Sequence, residues 1–273
     1  MAHSQIPQAS TVEALTSVWT SLDLLLSGLT DAQWREPVPV PGWDVHATVA
    51  HIFGTEAMLL GVEPDVTVDG AGMEHVHNPI GVMNENWIAS YDAASPDVMI
   101  ANFRHFTGER AKILQSMSDE EWNAESVTPA GPDVYSRFMR IRVFDCWTHE
   151  QDIRAALRLP GHESGPAVVA TLDEMEGAMG FVVGKRAGAS AGSSVTFDLT
   201  GASGRQIHVL VGERASVVPS LDGAATVTLT MPVISFNRLG AGRSDGADHR
   251  PAVKITGDEA LGNAVLDNLG YTI

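Results

Sequence analysis

Apolar residues recur at Val12, Leu15, Val18, Leu22, Leu25 and Leu29, the spacing of one face of an α-helix, and Ser10 with Glu13 reads as a capping box at its start. The prolines at 37, 39 and 41 and Gly42 interrupt the pattern. Asp44 then reads as the N-cap of a second helix running to about Leu60, with Val45, Val49, Ile52, Phe53 and Leu60 on its main apolar face. A third helix is expected over Ile80 to Tyr91. Ser95-Pro96 supplies a cap and a first-turn proline for a fourth, to about Met117. A longer one is expected from about Arg137 to Leu157. Bundles of this kind commonly place metal ligands on the inward faces of neighbouring helices.

The period changes in the second half. Ser194 to Thr200 (SVTFDLT), Arg205 to Val211 (RQIHVLV) and Ala225 to Met231 (ATVTLTM) alternate and are rich in β-branched residues, as strands are. Pro232 to Leu239 reads as a helix. Asp258 to Leu269 reads as another, capped by Asp258 after a strand at Val253 to Thr256 and closed by Gly270. Breakers at Leu159-Pro160-Gly161 and Gly165-Pro166 separate the halves, giving a helical bundle over residues 1–165 and a second domain over 166–273. That domain opens with a bridging helix from Pro166 to Gly184, and a flexible stretch follows at Lys185 to Ser193. The fold class expected is α+β, with a small sheet carrying helices on one face.

Composition removes several function classes. The chain has 273 residues, a formal net charge of −17 and a single cysteine. An acidic surface argues against nucleic acid and anionic membranes as partners, so small molecules are the expected ligands. One cysteine excludes an intramolecular disulfide framework and fits a reducing compartment. The polar N-terminus (MAHSQIPQAS) lacks a secretory pattern, and no apolar run is long enough to span a bilayer, so the expected location is cytoplasmic. The sequence contains no phosphate-binding loop or dinucleotide fingerprint.

The candidate chemistry lies on the long helix. Asp145 and His149 are four residues apart, displaced by only about 40° around the axis, so both leave the same face. Phe138 and Ala156 share that face, a lane that packing alone would fill with Leu or Ile. A carboxylate in an apolar interior requires a proton, an ion partner or a metal. Metal ligation suits the pair if a third ligand arrives from another helix. The bland alternative is a carboxylate–imidazole hydrogen bond with Arg140 or Arg142 nearby. His51, off the main apolar stripe of the second helix, is weak evidence by itself, and Glu56 is a reserve ligand. Asp152 or Glu56 could orient a ligand histidine. Cys146, Trp43 and Trp147 read as packing residues. His75-Val76-His77 is a rival metal motif without a nearby third ligand, and reads as a surface loop.

The stretches Pro39 to His51 (PVPGWDVHATVAH) and Arg140 to Arg154 (RIRVFDCWTHEQDIR) resemble the two signature segments of the mycothiol-dependent maleylpyruvate isomerase family. The tail from Ala225 through VKITGDEALGNAVL is similar to that family's second domain. The resemblance implies a DinB-like four-helix bundle carrying a divalent metal, joined to a sterol-carrier-like α/β domain. It also implies that His51, Asp145 and His149 hold the ion, with Asp145 a shorter arm than the Glu of the best-known members. Two nitrogens and a carboxylate leave a tetrahedral ion with an open position, which makes zinc the first choice, although nickel, iron or manganese suit the same ligands. Mycothiol is the implied thiol, bound as a thiolate that attacks an electrophilic small molecule in transfer or isomerisation. Arg238 and Arg243 are candidates for holding a substrate carboxylate. The alternatives are a non-enzymatic carrier of an apolar ligand with a structural metal, and a metal-dependent hydrolase with water in the open position.

Overall fold

A computed structural model of the chain describes residues 6–70, 72–73 and 75–272. The first half of the polar N-terminal stretch, residues 1–5, lies outside the described residues. The chain forms two compact units, Met1–Gly161 and His162–Ile273.

The first unit is built on α1 (Gln8–Leu26), the short α2 (Asp31–Trp34), α3 (Val45–Leu59), α4 (Pro79–Tyr91), α5 (Pro96–Ser116), the short α6 (Asp119–Trp122), a hairpin of β1 (Glu125–Thr128) and β2 (Gly131–Val134), and α7 (Tyr135–Leu157). The long helices α1, α3, α5 and α7 make the bundle, with α4 packed on α3. Leu15, Val18, Leu22, Val49, Ile52, Phe53, Phe103, Met139 and Val143 form its buried core.

Several starts follow from local chemistry. Asp44 accepts a hydrogen bond from the Ala47 amide at 2.7 Å, and Ser95 caps α5 ahead of Pro96, both as expected. The capping box at Ser10 is not formed. α1 begins earlier, at Gln8 after Pro7, and the Gln8 amide donates to Leu114 O and Met117 O at the end of α5. Tertiary bonds there replace the local cap. Capping boxes form instead at Thr30–Gln33 and Ser118–Glu121, each opening a single turn too short to leave an apolar period. Gly54 lets α4 approach α3 closely, since a Cβ there would lie 2.4 Å from Trp87 Cγ.

The second unit opens with α8 (Pro166–Phe181), which runs into a π-helical turn (Val182–Arg186). It continues through β3 (Ser194–Thr200), β4 (Gln206–Val211), β5 (Ala215–Val218), β6 (Val227–Pro232), α9 (Val233–Gly240), α10 (Gly246–His249), a 3-10 turn (Arg250–Ala252), β7 (Lys254–Gly257) and α11 (Glu259–Asp267). The strand order is β5-β4-β3-β6-β7, antiparallel except for the β3–β6 pair.

Strand register explains the core. Val195 pairs with Val209 and Val227, and Phe197 with Ile207 and Leu229, so one face of the sheet is continuously apolar. Helices cover it: Phe236 of α9 meets Phe197 at 5.5 Å between ring centroids, and Gly262 of α11 lies against Ile255 and Val227. The opposite face is polar, with Thr196 bonded to His208, and Asp198 accepting from Gln206 and Thr230. The α+β class expected from sequence is the one observed. One detail differs: α11 ends at Asp267, and Gly270 serves a close approach to Leu239 O and Gly242 rather than the helix end. Among the described residues, no helix is long and apolar enough to cross a membrane.

Candidate functional site

The site lies between α3 and α7. His51 projects from α3, while Asp145 and His149 leave one face of α7 a turn apart. His51 Nε2 is 3.1 Å from Asp145 Oδ2, and His149 Nε2 is 3.5 Å from Asp145 Oδ1. One ligand-type atom from each residue lies within 4.8 Å of the others, a spacing that could hold a metal ion. The two imidazoles are buried, but the Asp145 side chain is 27% exposed, so the site opens on the carboxylate side.

The expectation that His51 lies off its helix's apolar face does not hold. Every residue of α3 from Val45 to Ala57 is buried, so this central helix has no solvent side along that stretch.

Neighbours fix the rings. His149 Nδ1 lies 2.9 Å from Asp152 Oδ2, a carboxylate that accepts, so Nδ1 carries a proton, and in the neutral ring it is Nε2 that presents its lone pair to the site. Trp43 stacks on His149 with centroids 5.6 Å apart, and lies 5.2 Å from the His51 ring. Its indole N–H donates to Glu85 Oε1 at 2.8 Å, and the same oxygen is 2.9 Å from His75 Nε2. Trp43 therefore does more than fill the core, because it braces both candidate ligand rings. His51 Nδ1 is buried with no hydrogen-bond partner among the described residues.

A buried charge cluster backs the site. Arg142 Nη1 is bound to Asp145 Oδ2, and Arg142 Nε donates to Glu56 Oε1 at 3.0 Å. Arg110 of α5 donates to Glu56 Oε2 at 3.1 Å and to the Tyr135 hydroxyl at 2.6 Å. Glu56 is thus not a reserve ligand, since both of its oxygens are engaged by arginines. Arg110 and Tyr135 were missed from the sequence. Arg110 had a signal, for it falls in the buried stripe Met99, Phe103, Phe106, Thr107, Arg110, Leu114.

The electrostatics follow from this arrangement. Burial opposes charge at Asp145, but His51, Arg142 and His149 together outweigh it and hold the carboxyl well below the usual range. At His149 burial is likewise overcome, by Asp145 and Asp152, and its pKa is raised. Burial prevails at His51, whose pKa is lowered. Burial also pushes the Cys146 thiol up to about 12, and the side chain is fully enclosed, as suits a packing residue rather than a nucleophile.

Two family models match the chain: the mycothiol maleylpyruvate isomerase N-terminal domain over residues 15–154 and the corresponding C-terminal domain over residues 170–264. The chain belongs to this family. Two crystal structures of mycothiol-dependent maleylpyruvate isomerase, one of them a histidine-to-alanine mutant, share its fold, each with a TM-score of 0.57 and 18% identity over 92% of this chain and 93% of theirs. Two proteins of Mycobacterium tuberculosis, from strains CDC 1551 / Oshkosh and ATCC 25618 / H37Rv, are each 25% identical over 142 residues, and both are described as uncharacterized. That match takes in 50% of this chain and 52% of theirs, so the chain spans about half the length of the curated relatives it matches.

The remaining candidates in this isomerase-family chain have partners of their own. Arg238 is buried in the second unit, with Nε and Nη2 donating to Asp245 Oδ1 at 3.1 and 2.9 Å. Arg243 Nη1 donates to Ala241 O at 3.3 Å. His75 is drawn to Glu85 while His77 is exposed, and the two form no metal-type cluster among the described residues.

Proposed function

We propose that this chain is a divalent-metal-dependent and mycothiol-dependent isomerase or S-transferase, with His51, Asp145 and His149 as the metal ligands. The observation that carries the reading is the convergence of two imidazole Nε2 atoms and one ionised carboxylate at the part-exposed mouth between α3 and α7. The donor set fits the ion. Asp152 fixes the His149 tautomer that leaves Nε2 available, and two nitrogens with one oxygen suit zinc while leaving a position open.

When bound, the ion would acidify a coordinated thiol and keep it as thiolate near neutral pH. The chain's own residues do the rest. Trp43 holds the two imidazoles in register, and the exposed edge of Asp145 marks the side from which thiol and substrate enter. In isomerisation the thiolate forms an S–C bond at one carbon of an activated double bond, and the π electron pair moves onto the activating carbonyl. Rotation about the new single bond follows, and the S–C bond breaks to release the thiolate with no net change in atoms. In transfer the S–C bond is retained and the enolate carbon takes from solvent the proton that the thiol gave up to solvent on becoming a thiolate, so thiol and double bond add with no atom left over.

The test is turnover of a cis-enone carboxylate by the zinc-loaded protein with and without mycothiol. Thiol-dependent isomerisation, abolished by chelation and restored by zinc, is the expected result. Cleavage of the substrate by water without thiol would point to a hydrolase, and binding of a hydrophobic probe with no turnover to a carrier.

A further inference from the structure

Asp145 has two differently occupied oxygens. Oδ2 receives Arg142 Nη1 and lies 3.1 Å from His51 Nε2, so both of its lone pairs are taken up, while Oδ1 faces His149 Nε2 at the longer 3.5 Å. Arg142 is itself immobilised, for its Nε and Nη2 reach Glu56 Oε1 at 3.0 and 2.9 Å, and Nη2 also reaches Ile52 O at 3.2 Å. Glu56 is fully buried and is gripped from the other side by Arg110. Arg110, Arg142, Glu56 and Asp145 form one connected set whose two guanidinium groups balance two carboxylates. Asp145 is therefore ionised, oriented and charge-neutralised by protein groups alone. A device that served only to hold a metal tightly would not set a cation against its carboxylate ligand, because like charges repel in a poorly solvated site.

We propose, on the metal-site reading above, that Arg142 is a positioning residue that occupies Asp145 Oδ2 and so makes the carboxylate a one-oxygen ligand. A carboxylate free to turn can bind an ion through both oxygens, which fills a coordination position. With Oδ2 engaged, that position stays open for a thiol. The arrangement gives up some metal affinity for an accessible ion of higher effective charge.

Cobalt(II) provides the test, because four-coordinate cobalt absorbs visible light several-fold more strongly than five- or six-coordinate cobalt. The full chain would be loaded with cobalt alone, as wild type, as Arg142→Met and as Arg142→Met/Glu56→Gln. The double variant removes one cation and one anion from the set, leaving Arg110 and Asp145, so its charges still sum to zero and folding is protected. The wild type is expected to show the strong four-coordinate spectrum, shifting when 2-mercaptoethanol is added. Both variants should lose intensity several-fold and bind cobalt about 10-fold more tightly, a change of the size that outer-shell groups produce. A purely structural role would weaken binding instead. A weak wild-type spectrum, variant spectra like the wild type's, or weaker cobalt binding in the variants would each overturn the proposal. Should neither variant fold, Arg142→Lys, which keeps the buried charge but cannot reach Glu56 and Asp145 together, takes their place with the same expected and contrary results. Failure of the wild type to bind cobalt at all would instead count against the metal site itself.

Discussion

Both units have apolar cores, but they differ in the ionisable side chains they bury. The helical unit encloses His51, Glu56, Arg110, Arg142, His149, Glu150 and Asp152, whereas the sheet unit packs Val195, Phe197, Ile207, Val209, Val227 and Leu229 along one face, and its buried ionisable side chains are Arg238 and Glu174. Apolar packing alone stabilises a core more cheaply than buried ion pairs, which roughly break even against hydrophobic replacements. A bundle that keeps several buried charges in one connected cluster, next to a part-exposed carboxylate, has given up stability at the place where the proposed metal site lies. The sheet unit instead buries few ionisable side chains and packs a continuous apolar sheet face.

The largest effect should follow from Glu56→Ala, which strands two buried guanidinium groups. Unfolding in urea should show a loss of about 3–5 kcal/mol, the usual result of breaking a buried pair from one side. Phe197→Ala should destabilise the sheet unit by a similar about 3–5 kcal/mol through cavity formation, yet leave metal content unchanged. Loss of the ion in that variant would break the contrast between the units. Asp152→Asn should change stability less but weaken zinc binding about 10- to 100-fold in a chelator competition, because His149 loses the partner that fixes its tautomer.

Acidity should act in the same place. His149 has a raised pKa, so its proton is retained to a higher pH than an ordinary imidazole's and must leave before Nε2 can bind an ion. Zinc affinity measured between about pH 6 and 8 should therefore rise with pH and level off once His149 is neutral. Asp145, held well below the usual range, stays ionised throughout and contributes no slope. A flat profile would contradict the assignment of His149. The smallest expected effect is that of Asp44→Ala, about 1 kcal/mol in thermal or urea unfolding, for loss of the α3 N-cap.

Local signals carried much of this arrangement. Asp44, Ser95-Pro96 and the i, i+4 pair Asp145 and His149 are read from neighbouring residues, and the Ser194–Thr200 strand coincides with its alternating segment. What escaped depends on distant partners or on length. Glu56 looked like a spare ligand because its arginines lie 54 and 86 residues away. Gln8 begins its helix by bonding to residues 106 and 109 positions on. The β1–β2 hairpin and β5 are four-residue strands, too short to show a period. His51 could not be judged from helix faces, since α3 is enclosed along most of its length.

Elemental analysis of purified wild-type protein beside His149→Ala tests the central claim most directly. The account predicts about one divalent ion per chain in the wild type, and its loss in a variant that keeps the wild-type circular dichroism. Equal metal content in the two proteins, or a folded wild type that takes up no divalent ion on reconstitution, would contradict it.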